Sequence, residues 1–465
     1  MYKLKKMIIL FLSLLLLTSC NSNIEPAPEP EPAPEPVPEQ SGFLEGYTKQ
    51  TLEKQITSVQ PMTGIVFWPS KGKSHYTTYG KSISLEYSYC LPSDVVVEKS
   101  DNGTIVYDWS SFEELLDDIA SRQHQAIIRF RYEYPNAMTN GVRGGTAVPD
   151  YIKALPDYDE TFNNGSNDGA TWYADWSHPE LQWFTKQFYT DFAAEYDNDP
   201  RIAFIQLGFG HWSEYHIYGT PLRLGTNFPT HAYQAEFLTH VNSVFKNLPW
   251  SISTDASATN YTPIARSEEL KALDFGVFDD SFMHASHEIS QGGGYNERSW
   301  ISLDITRWER APAGGEISYY LTGAQGDQRN FLNPEGLHGV TWEEASAKYH
   351  ITYMIGNDSP SLAGPGTPER MKEASMLCGY RFKIEEYGIK GDSVAIQITN
   401  TGVAPIYKDA YVAVGGVRSQ ESLKHLLPGE SLQIKIKTDS PSSEPTIESD
   451  FLVEGQMIEY EANLE

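Results

Sequence analysis

Eight short apolar runs, spread over residues 63–355, are the feature that most constrains the fold of this chain. Amphipathic stretches separate most of the runs, and this alternation is typical of parallel βα units. The runs are TGIVFW (63–68), SISLEYSY (82–89), AIIRFRYEY (126–134), AFIQLGFG (203–210), SISTDAS (251–257), DFGVFDD (274–280), EISYYL (316–321) and HITYMI (350–355). Eight such units predict an α/β fold of the TIM-type (β/α)8 barrel, in which catalytic residues lie at the C-terminal ends of the strands. A doubly wound open sheet is the alternative, and the strand count favours the barrel.

The pattern changes after about residue 380. Stretches such as RFKIEEYGIKGDSVAIQITNTG alternate apolar and polar residues between closely spaced turn signals, which predicts a small β-sandwich. The last residues are polar and rich in Ser, Pro and Glu. We therefore predict a barrel at 43–379, a β-sandwich module at 380–440 and a polar C-terminal tail at 441–465, where FLVEGQMIEYEA can add a strand.

The N-terminus has the layout of an export signal. Three lysines precede the apolar run MIILFLSLLLL, which is too short for a usual transmembrane helix, and LTSC ends at Cys20. LTSC resembles the bacterial lipobox, so we predict a signal peptide at 1–20 and lipidation of Cys20; a plain secretory signal with a chance cysteine is the alternative. Residues 24–40 alternate Pro with Glu or Ala, and we predict a semi-rigid stalk at 21–42. This segment predicts a lipoprotein of a bacterial outer membrane, displayed at the cell surface.

Charge and composition narrow the class of partner. Lys and Arg total 35 and Asp and Glu 62, which gives a net charge of -27. A nucleic acid would need a basic face, so we predict no nucleic-acid partner. Aromatic residues make up 12% of the chain, which suits stacking against sugars and also suits an ordinary large core. Cys90 and Cys378 form no disulfide framework, and we predict two buried free thiols.

Two glutamates fall at strand ends on the predicted barrel. Glu214 follows the fourth apolar run, and Glu316 lies in the seventh, in PAGGEISYY, 102 residues later. That separation fits three βα units of about 30–35 residues each. Glycoside hydrolysis needs two carboxylates across one cleft, one to protonate the leaving oxygen and one to attack or to activate water. We predict Glu214 and Glu316 as the catalytic pair.

This arrangement resembles the clan A retaining glycoside hydrolases. In those barrels the acid/base is a Glu after the fourth strand and the nucleophile is a Glu on the seventh, so the resemblance implies these roles for Glu214 and Glu316. The chain departs from the clan in two places. Ser213 stands where the clan usually has an Asn that contacts the sugar 2-hydroxyl, directly before the acid/base. Tyr353 is the aromatic residue nearest to the usual Trp at the end of the eighth strand.

Other residues at strand ends are candidates for contacts with a sugar. They are Trp68, Arg129, Arg131, His211, Trp212, Tyr215, Asp279 and Asp280. The two arginines share one face of the third strand, where each either orients the nucleophile or forms a structural ion pair. An aspartate at a strand end either binds hydroxyl groups or caps a helix. The aromatic residues either stack on pyranose rings or pack in the core.

HWSEYH places His211, Glu214 and His216 close together, a grouping that can indicate a metal site. In an extended segment residues 214 and 216 share a face and residue 211 opposes them. The spacing matches no standard zinc pattern, and the chain contains no P-loop, nucleophile-elbow or dinucleotide-binding motif. We predict no metal and no cofactor.

Much of the chain, residues 60–435, is similar to the family of bacterial surface proteins that carries domain of unknown function 4832. The matching stretches are SLEYSYCLPSDV, QAIIRFRYEYP, IQLGFGHWSEYH, PAGGE and NTGVAPIY. This resemblance implies a barrel followed by an immunoglobulin-like module, as in lipoproteins of Bacteroidota that degrade polysaccharides. It implies no particular substrate.

These observations together predict a surface-anchored glycoside hydrolase that acts on a polysaccharide or oligosaccharide with retention, as a monomer. A non-catalytic glycan-binding lipoprotein on the same barrel is the second hypothesis, and it would explain Ser213. A polysaccharide lyase is the third, with Tyr215, His211 and Arg131 as the working residues; the acidic charge balance disfavours it.

Overall fold

The computed structural model of the chain describes residues 42–164, 169–321, 325–356 and 366–465. Its centre is a closed barrel of eight parallel strands, in which the last strand pairs with the first. In chain order the strands are β1 (Gly64–Phe67), β2 (Leu85–Cys90), β3 (Gln125–Phe130), β4 (Ile202–Gln206), β5 (Trp250–Ser253), β6 (Phe275–Phe282), β7 (Ala313–Ile317) and β8 (Tyr353–Ile355). Each predicted apolar run overlaps one of these strands, although the seventh strand begins three residues before its run, so the predicted TIM-type barrel is confirmed.

The strands alternate between two cores, as the two-residue period of a strand requires. In β3, Ile127 belongs to the core inside and below the barrel, while Ala126, Ile128 and Phe130 pack outward against the helices. Arg129 has the same parity as Ile127 and therefore points into the barrel. This alternation sets which side chains reach the barrel mouth.

α-Helices and short 3-10 helices connect the barrel strands. The α-helices are Pro69–Ser74, Tyr76–Tyr79, Pro92–Val95, Ser110–Ala120, Asp150–Lys153, Pro179–Tyr196, His231–Val244, Glu268–Lys271, Tyr295–Ser302, Asp327–Asn330, Trp342–Lys348 and Pro368–Met376. The 3-10 helices are Thr254–Ser257, Ile264–Arg266, Ile289–Gln291 and Arg307–Glu309. The helix before β8 begins at Thr341, which exchanges hydrogen bonds with Glu344 in a capping box. Among the described residues, none of these helices has the length and apolar character needed to span a bilayer.

The C-terminal module is a β-sandwich, as predicted. Its larger sheet has the order Leu52–Lys54, Tyr460–Leu464, Phe382–Lys390, Ser393–Asn400, Ser431–Lys437, with Thr48–Lys49 paired to Phe382–Lys390. Its smaller sheet has the order Val417–Arg418, Tyr411–Val414, Thr446–Glu448. Apolar side chains of both sheets share one core.

The boundaries of this module differ from the predicted ones. Strands at Thr48–Lys49 and Leu52–Lys54 belong to the sandwich, although residues from 43 onward were assigned to the barrel. Strands at Thr446–Glu448 and Tyr460–Leu464 lie within the predicted polar tail. The strand Tyr460–Leu464 overlaps FLVEGQMIEYEA, where an added strand was predicted, and the other three are two or three residues long, too short for a periodic pattern to stand out.

Three hairpins lie in the loops after β2 and β3. They pair Val96–Lys99 with Ile105–Tyr107, Met138–Thr139 with Val142–Arg143, and Thr161–Asn163 with Thr171–Tyr173. The last two are part of the long insertion that follows β3. Cys90 and Cys378 are both free, as predicted, and Cys90 is half-buried while Cys378 is buried.

The sandwich closes the N-terminal end of the barrel. At the start of β3, Gln125 donates hydrogen bonds to the carbonyl oxygens of Pro200 and Phe451 at 2.7 and 2.8 Å. The buried Lys408 ammonium donates to the carbonyl oxygen of Ile202, at the start of β4, at 2.7 Å, and burial lowers the pKa of Lys408 to about 7. Because this end is sealed, the C-terminal end is the open mouth where a site can form.

Candidate active site

Arg129 lies at the centre of the barrel mouth and joins the two predicted catalytic residues. Its side chain is fully buried. One terminal nitrogen forms an ion pair with Glu214, and the other lies 3.3 Å from Oε1 of Glu316. The loop after β4 and the end of β7 therefore bring both carboxylates to one guanidinium, which places the pair in a single cleft.

A polar network fixes the orientation of Arg129. Its Nε donates to Oε1 of Gln206 at 2.8 Å, and Gln206 in turn donates to the Tyr353 hydroxyl at 2.6 Å. Its Nη1 also donates to the Trp212 carbonyl oxygen at 3.1 Å, and the Phe278 ring lies 4.2 Å from the guanidinium carbon. Tyr353 is fully buried in this network, so it does not replace the clan's sugar-stacking Trp.

The loop that carries Glu214 has an unusual backbone. Trp212, Ser213 and Tyr215 have φ angles of 53°, 62° and 64°. Non-glycine residues with positive φ are uncommon, and they persist where surrounding contacts over-determine the conformation. Here the amide nitrogen of Tyr215 donates to the Phe209 carbonyl at 2.8 Å, and that of Trp212 donates to the Glu133 carbonyl at 3.1 Å. The left-handed turns bend the chain so that Glu214 faces the cleft.

Two glycines make room for this loop. A Cβ at Gly208 would overlap the carbonyl oxygen of Ser213, and one at Gly210 would overlap the carbonyl oxygen of His216. The Ser213 hydroxyl donates to the Phe130 carbonyl at 3.0 Å and is buried. Ser213 is thus a part of the barrel wall, where the clan's Asn would contact a sugar.

Both carboxyl groups have raised pKa values. Burial raises the pKa of Glu214 well above its ordinary value; Arg129 opposes the shift, and the charges of Asp280 and Glu316 add to it. Burial also raises the pKa of Glu316, against the opposing effect of Arg129. A carboxylic acid that keeps its proton near neutral pH is what a general acid requires.

A second cluster adjoins Glu214. Nδ1 of His216 lies 2.6 Å from a carboxylate oxygen of Asp255, which follows β5. Burial, together with the charges of Asp255 and Asp279, raises the pKa of Asp280 to about 7. A ring nitrogen of His216 and carboxylate oxygens of Glu214 and Asp280 all lie within 4.8 Å of one another. His216 and Asp255 were not among the predicted site residues, although Asp255 follows its strand as Glu214 follows β4.

Asp279 differs from its prediction as a sugar contact. It is fully buried and accepts hydrogen bonds from Nε2 of His287, Nδ2 of Asn296 and Nε1 of Trp300 at 3.0, 2.6 and 2.9 Å. Successive residues of β6 point to opposite faces, so Asp280 faces the mouth while Asp279 faces the helices. Asp279 ties the loop and helix after β6 to the barrel.

His211 and Tyr215 also differ from their predicted roles, because both are fully buried. The His211 ring stacks on Tyr173 at 5.5 Å, its Nε2 lies 3.0 Å from the Tyr173 hydroxyl, and burial lowers the pKa of His211 to about 3. Tyr215 packs edge-on against Phe209 at 5.9 Å. Both side chains pack beneath the loop that carries Glu214, on the side away from the barrel mouth.

Arg131 was predicted beside Arg129, and it lies further out along the same face. Its guanidinium carbon is 4.7 Å from the Tyr134 ring centre and 5.8 Å from that of Tyr89. In the described part of the chain, Glu214 and Glu316 form their ion pairs with Arg129 and not with Arg131. Arg131 therefore packs on the two tyrosines through cation–π contacts and holds their rings in place.

The remaining aromatic candidates belong to a continuous row of half-buried rings. Trp68 and Tyr89 have ring centres 5.4 Å apart, Tyr89 and Tyr134 5.8 Å, and Tyr134 and Trp212 5.9 Å. We call Trp68, Tyr89, Tyr134 and Trp212 the aromatic arc. It runs from the end of β1 to the loop after β4. Tyr89 and Tyr134 were missed, although each stands at the end of an apolar run.

No protein-family model and no curated protein matches the chain, so the resemblance to the domain of unknown function 4832 family stays a prediction. Among solved structures, endo-glycoceramidase II from Rhodococcus sp. aligns with a TM-score of 0.41 at 10% identity, over 83% of this chain and 100% of that one. The catalytic domain of beta-amylase from Paenibacillus polymyxa aligns with a TM-score of 0.42 at 11% identity, over 69% and 99%. CldA, a cyclomaltodextrin glucanotransferase, aligns at 0.36 and 12%, over 82% and 90%. Similarities of this size carry neither substrate nor mechanism to this chain.

Proposed function

We propose that the chain is a glycoside hydrolase whose reaction takes place between Glu214 and Glu316 at the mouth of the barrel. The observation that carries this proposal is the bridge by Arg129, which holds two buried carboxyl groups from opposite sides of the barrel in one cleft. A buried arginine needs a carboxylate partner because an uncompensated buried charge is strongly destabilising, and here Glu214 and Glu316 share that role. Paired carboxyl groups of this kind are the working parts of glycoside hydrolysis.

In the proposed mechanism Glu214 protonates the leaving oxygen and Glu316 attacks the anomeric carbon. The glycosyl–enzyme ester is then hydrolysed by water that Glu214 deprotonates, so that the anomeric configuration is retained. One feature supports this division of roles: Glu316 lies within a strand, where its position is rigid, whereas Glu214 lies on the loop after β4. Arg129 favours the carboxylate form of Glu316 that is needed for attack, and this negative charge is lost as the ester forms.

The proposed substrate is a neutral oligosaccharide or polysaccharide. The aromatic arc offers ring faces for pyranose units, and Asp280 offers a hydrogen-bond acceptor to their hydroxyl groups. Asp255 and Asp280 add negative charge beside the cleft. A uronate would be repelled there, which supports a hydrolase over a lyase.

A glycan-binding protein without catalysis is the second candidate, and Ser213 favours it. The Ser213 hydroxyl is committed to the Phe130 carbonyl, so it cannot contact the sugar as the clan's Asn would. The aromatic arc would then serve binding alone.

A screen of glycans separates the two candidates. The full chain is incubated with a panel of neutral polysaccharides and oligosaccharides. Hydrolysis is measured as new reducing ends, and binding is measured as glycan that stays bound to the protein. We expect at least one glycan to yield reducing ends with the wild-type chain and none with the Glu214→Gln/Glu316→Gln double variant. Binding without new reducing ends would support the glycan-binding candidate, and neither binding nor hydrolysis would contradict both.

We also propose that the site is held at a membrane by a lipid on Cys20. The supporting features are the lipobox-like LTSC and the Pro/Glu stalk, which lie outside the described residues. In a bacterial host the wild-type chain is expected in the membrane fraction. The Cys20→Ala variant is expected either in the soluble fraction or as a precursor whose signal peptide is not cleaved. A wild-type chain that is processed and found in the medium would contradict the anchor.

A further inference from the structure

The cluster beside Glu214 combines an imidazole and two carboxylates from parts of the chain that are distant in sequence. His216 and Glu214 come from the loop after β4, and Asp280 comes from β6. Their potential ligand atoms lie within 4.8 Å of one another, and the three side chains are buried or half-buried. The cluster therefore differs from the solvated acidic groups that are common on protein surfaces.

Asp255 fixes the orientation of the His216 ring. Asp255 binds Nδ1 at 2.6 Å, which leaves Nε2 as the nitrogen free to accept. The residue is 5% exposed, and Nε2 is buried without a hydrogen-bond partner within the described part of the chain. An unpaired buried nitrogen is costly, and a histidine whose other nitrogen bonds a carboxylate is the usual arrangement of a metal ligand.

The local charge also favours a cation. The cluster and its surroundings contain four carboxyl groups: those of Glu214 and Asp280 in the cluster and those of Asp255 and Glu316 next to it. Among the described residues, Arg129 is the cation that contacts them. Arg129 is engaged with two of the four. In the described structure Asp255 and Asp280 have His216 as their basic neighbour, so a divalent ion would bring a cation to carboxyl groups that Arg129 does not contact.

We propose that Nε2 of His216 and one carboxylate oxygen each from Glu214 and Asp280 bind a divalent transition-metal ion of the Zn²⁺ or Mn²⁺ class. One imidazole with two carboxylates suits these ions, and an all-oxygen preference disfavours Ca²⁺. Three protein ligands leave a position open toward the cleft for water or a sugar hydroxyl. The three ligand atoms must each move by about 1 Å toward the ion to reach the usual Zn–N and Zn–O bond lengths.

This inference departs from the prediction of no metal, for a reason visible in the structure. The HWSEYH motif supplies two ligands, but the buried His211 is not the third. The third ligand comes from β6, 64 residues after His216, and no local spacing could reveal it.

A direct binding measurement tests the site without any substrate. The full chain, purified without a polyhistidine tag, is freed of metal and titrated with Zn²⁺ and then Mn²⁺ by calorimetry, with Ca²⁺ as the contrasting ion. We expect one saturable Zn²⁺ equivalent, no saturable Ca²⁺ at the same concentrations, and about 10- to 100-fold weaker Zn²⁺ binding in Asp255→Asn, which removes the carboxylate that orients the ring and its negative charge.

The ligand variants decide the assignment. His216→Ala and Asp280→Asn are expected to abolish the saturable Zn²⁺ equivalent, and His284→Ala, a half-buried histidine on the loop after β6 outside the cluster, is the matched control and is expected to bind as the wild type does. Should His216→Ala lose its cooperative thermal transition, Asp280→Asn alone decides. No saturable Zn²⁺ in the wild type, or an unchanged equivalent in a folded ligand variant, overturns the proposal.

One consequence rests on the proposed function. A metal bound to Glu214 would occupy the oxygen that handles the proton, so Zn²⁺ is expected to slow glycoside hydrolysis, and removal of Zn²⁺ to restore it. The calorimetry stands by itself if no hydrolysis is found, so failure of the hydrolase proposal and failure of the metal site give different results.

Discussion

Replacing Glu316 by glutamine is expected to lower the rate of glycoside hydrolysis by about 10³-fold or more, for every substrate the chain accepts. Glutamine keeps the shape of the side chain and one acceptor oxygen for Arg129. It removes the nucleophile, so no glycosyl–enzyme ester can form, and a group that acts in bond formation commonly accounts for factors of this size. Initial rates of reducing-end release on the best glycan of the screen give the comparison.

The companion change, Glu214→Gln, is expected to depend on the leaving group. A natural sugar leaves as an alkoxide unless it is protonated, so loss of the acid should slow its hydrolysis by about 10²- to 10⁴-fold. A dinitrophenyl glycoside leaves as a stable anion, so its first step should be nearly unaffected and its ester intermediate should accumulate as a burst. This contrast separates the two roles, which loss of activity alone would not do.

Glu133→Gln is the matched control for both variants. Glu133 is a buried carboxyl group at the same end of the barrel, and its Oε1 accepts a hydrogen bond from the amide of Ala174. Burial raises the pKa of Glu133 to about 8, so the residue is neutral at pH 7 and glutamine mimics it closely. Its rate should stay within a few-fold of wild type. Equal turnover in wild type and Glu316→Gln would show that the pair is not the reacting pair.

The barrel could be predicted because each strand is a short, nearly continuous apolar run, as expected for strands buried on both faces. The pairing of Glu214 with Glu316 followed from topology, since all parallel strands of a barrel end at one mouth. The two-residue period of β3 predicted that Arg129 and Arg131 share a face, and the structure shows that this face points into the barrel. The sequence therefore contains the frame of the site and its principal charges.

The details of the loop after β4 could not be predicted. A two-residue period holds only while the backbone is extended, and Trp212, Ser213 and Tyr215 adopt left-handed φ angles instead. The period consequently fails there, which is why His211 and Tyr215 are buried although they were expected in the cleft. The Asp255–His216 contact depends on this turn and on the end of β5, so it has no local signal in the sequence.

Arg129 is where charge, packing and the proposed chemistry meet, and its replacement is expected to have the largest effect on stability. Arg129→Met fits the space between Gln206 and Phe278 but removes the cation that faces Glu214 and Glu316. Two buried carboxyl groups then lose their partner. Breaking a buried ion pair in this way costs about 3–5 kcal/mol of unfolding free energy. Urea unfolding at pH 7, with the slope compared between variants, measures the loss.

The cause of that loss is tested by removing the stranded carboxylates as well. In Arg129→Met/Glu214→Gln/Glu316→Gln no unpaired charge remains, so the triple variant should recover a large part of the lost stability although it carries more changes. Arg201→Met is the control, because Arg201 pairs with Glu113, Asp117 and Asp199 at the surface, where such pairs contribute about 1 kcal/mol or less. If Arg129→Met costs no more than Arg201→Met, or if the triple variant recovers nothing, then Arg129 does not balance the two glutamates. Recovery in the triple variant would mean that the stability of the barrel depends on charge balance between the three residues proposed to carry the chemistry, with Arg129 as the cation that offsets the two buried glutamates.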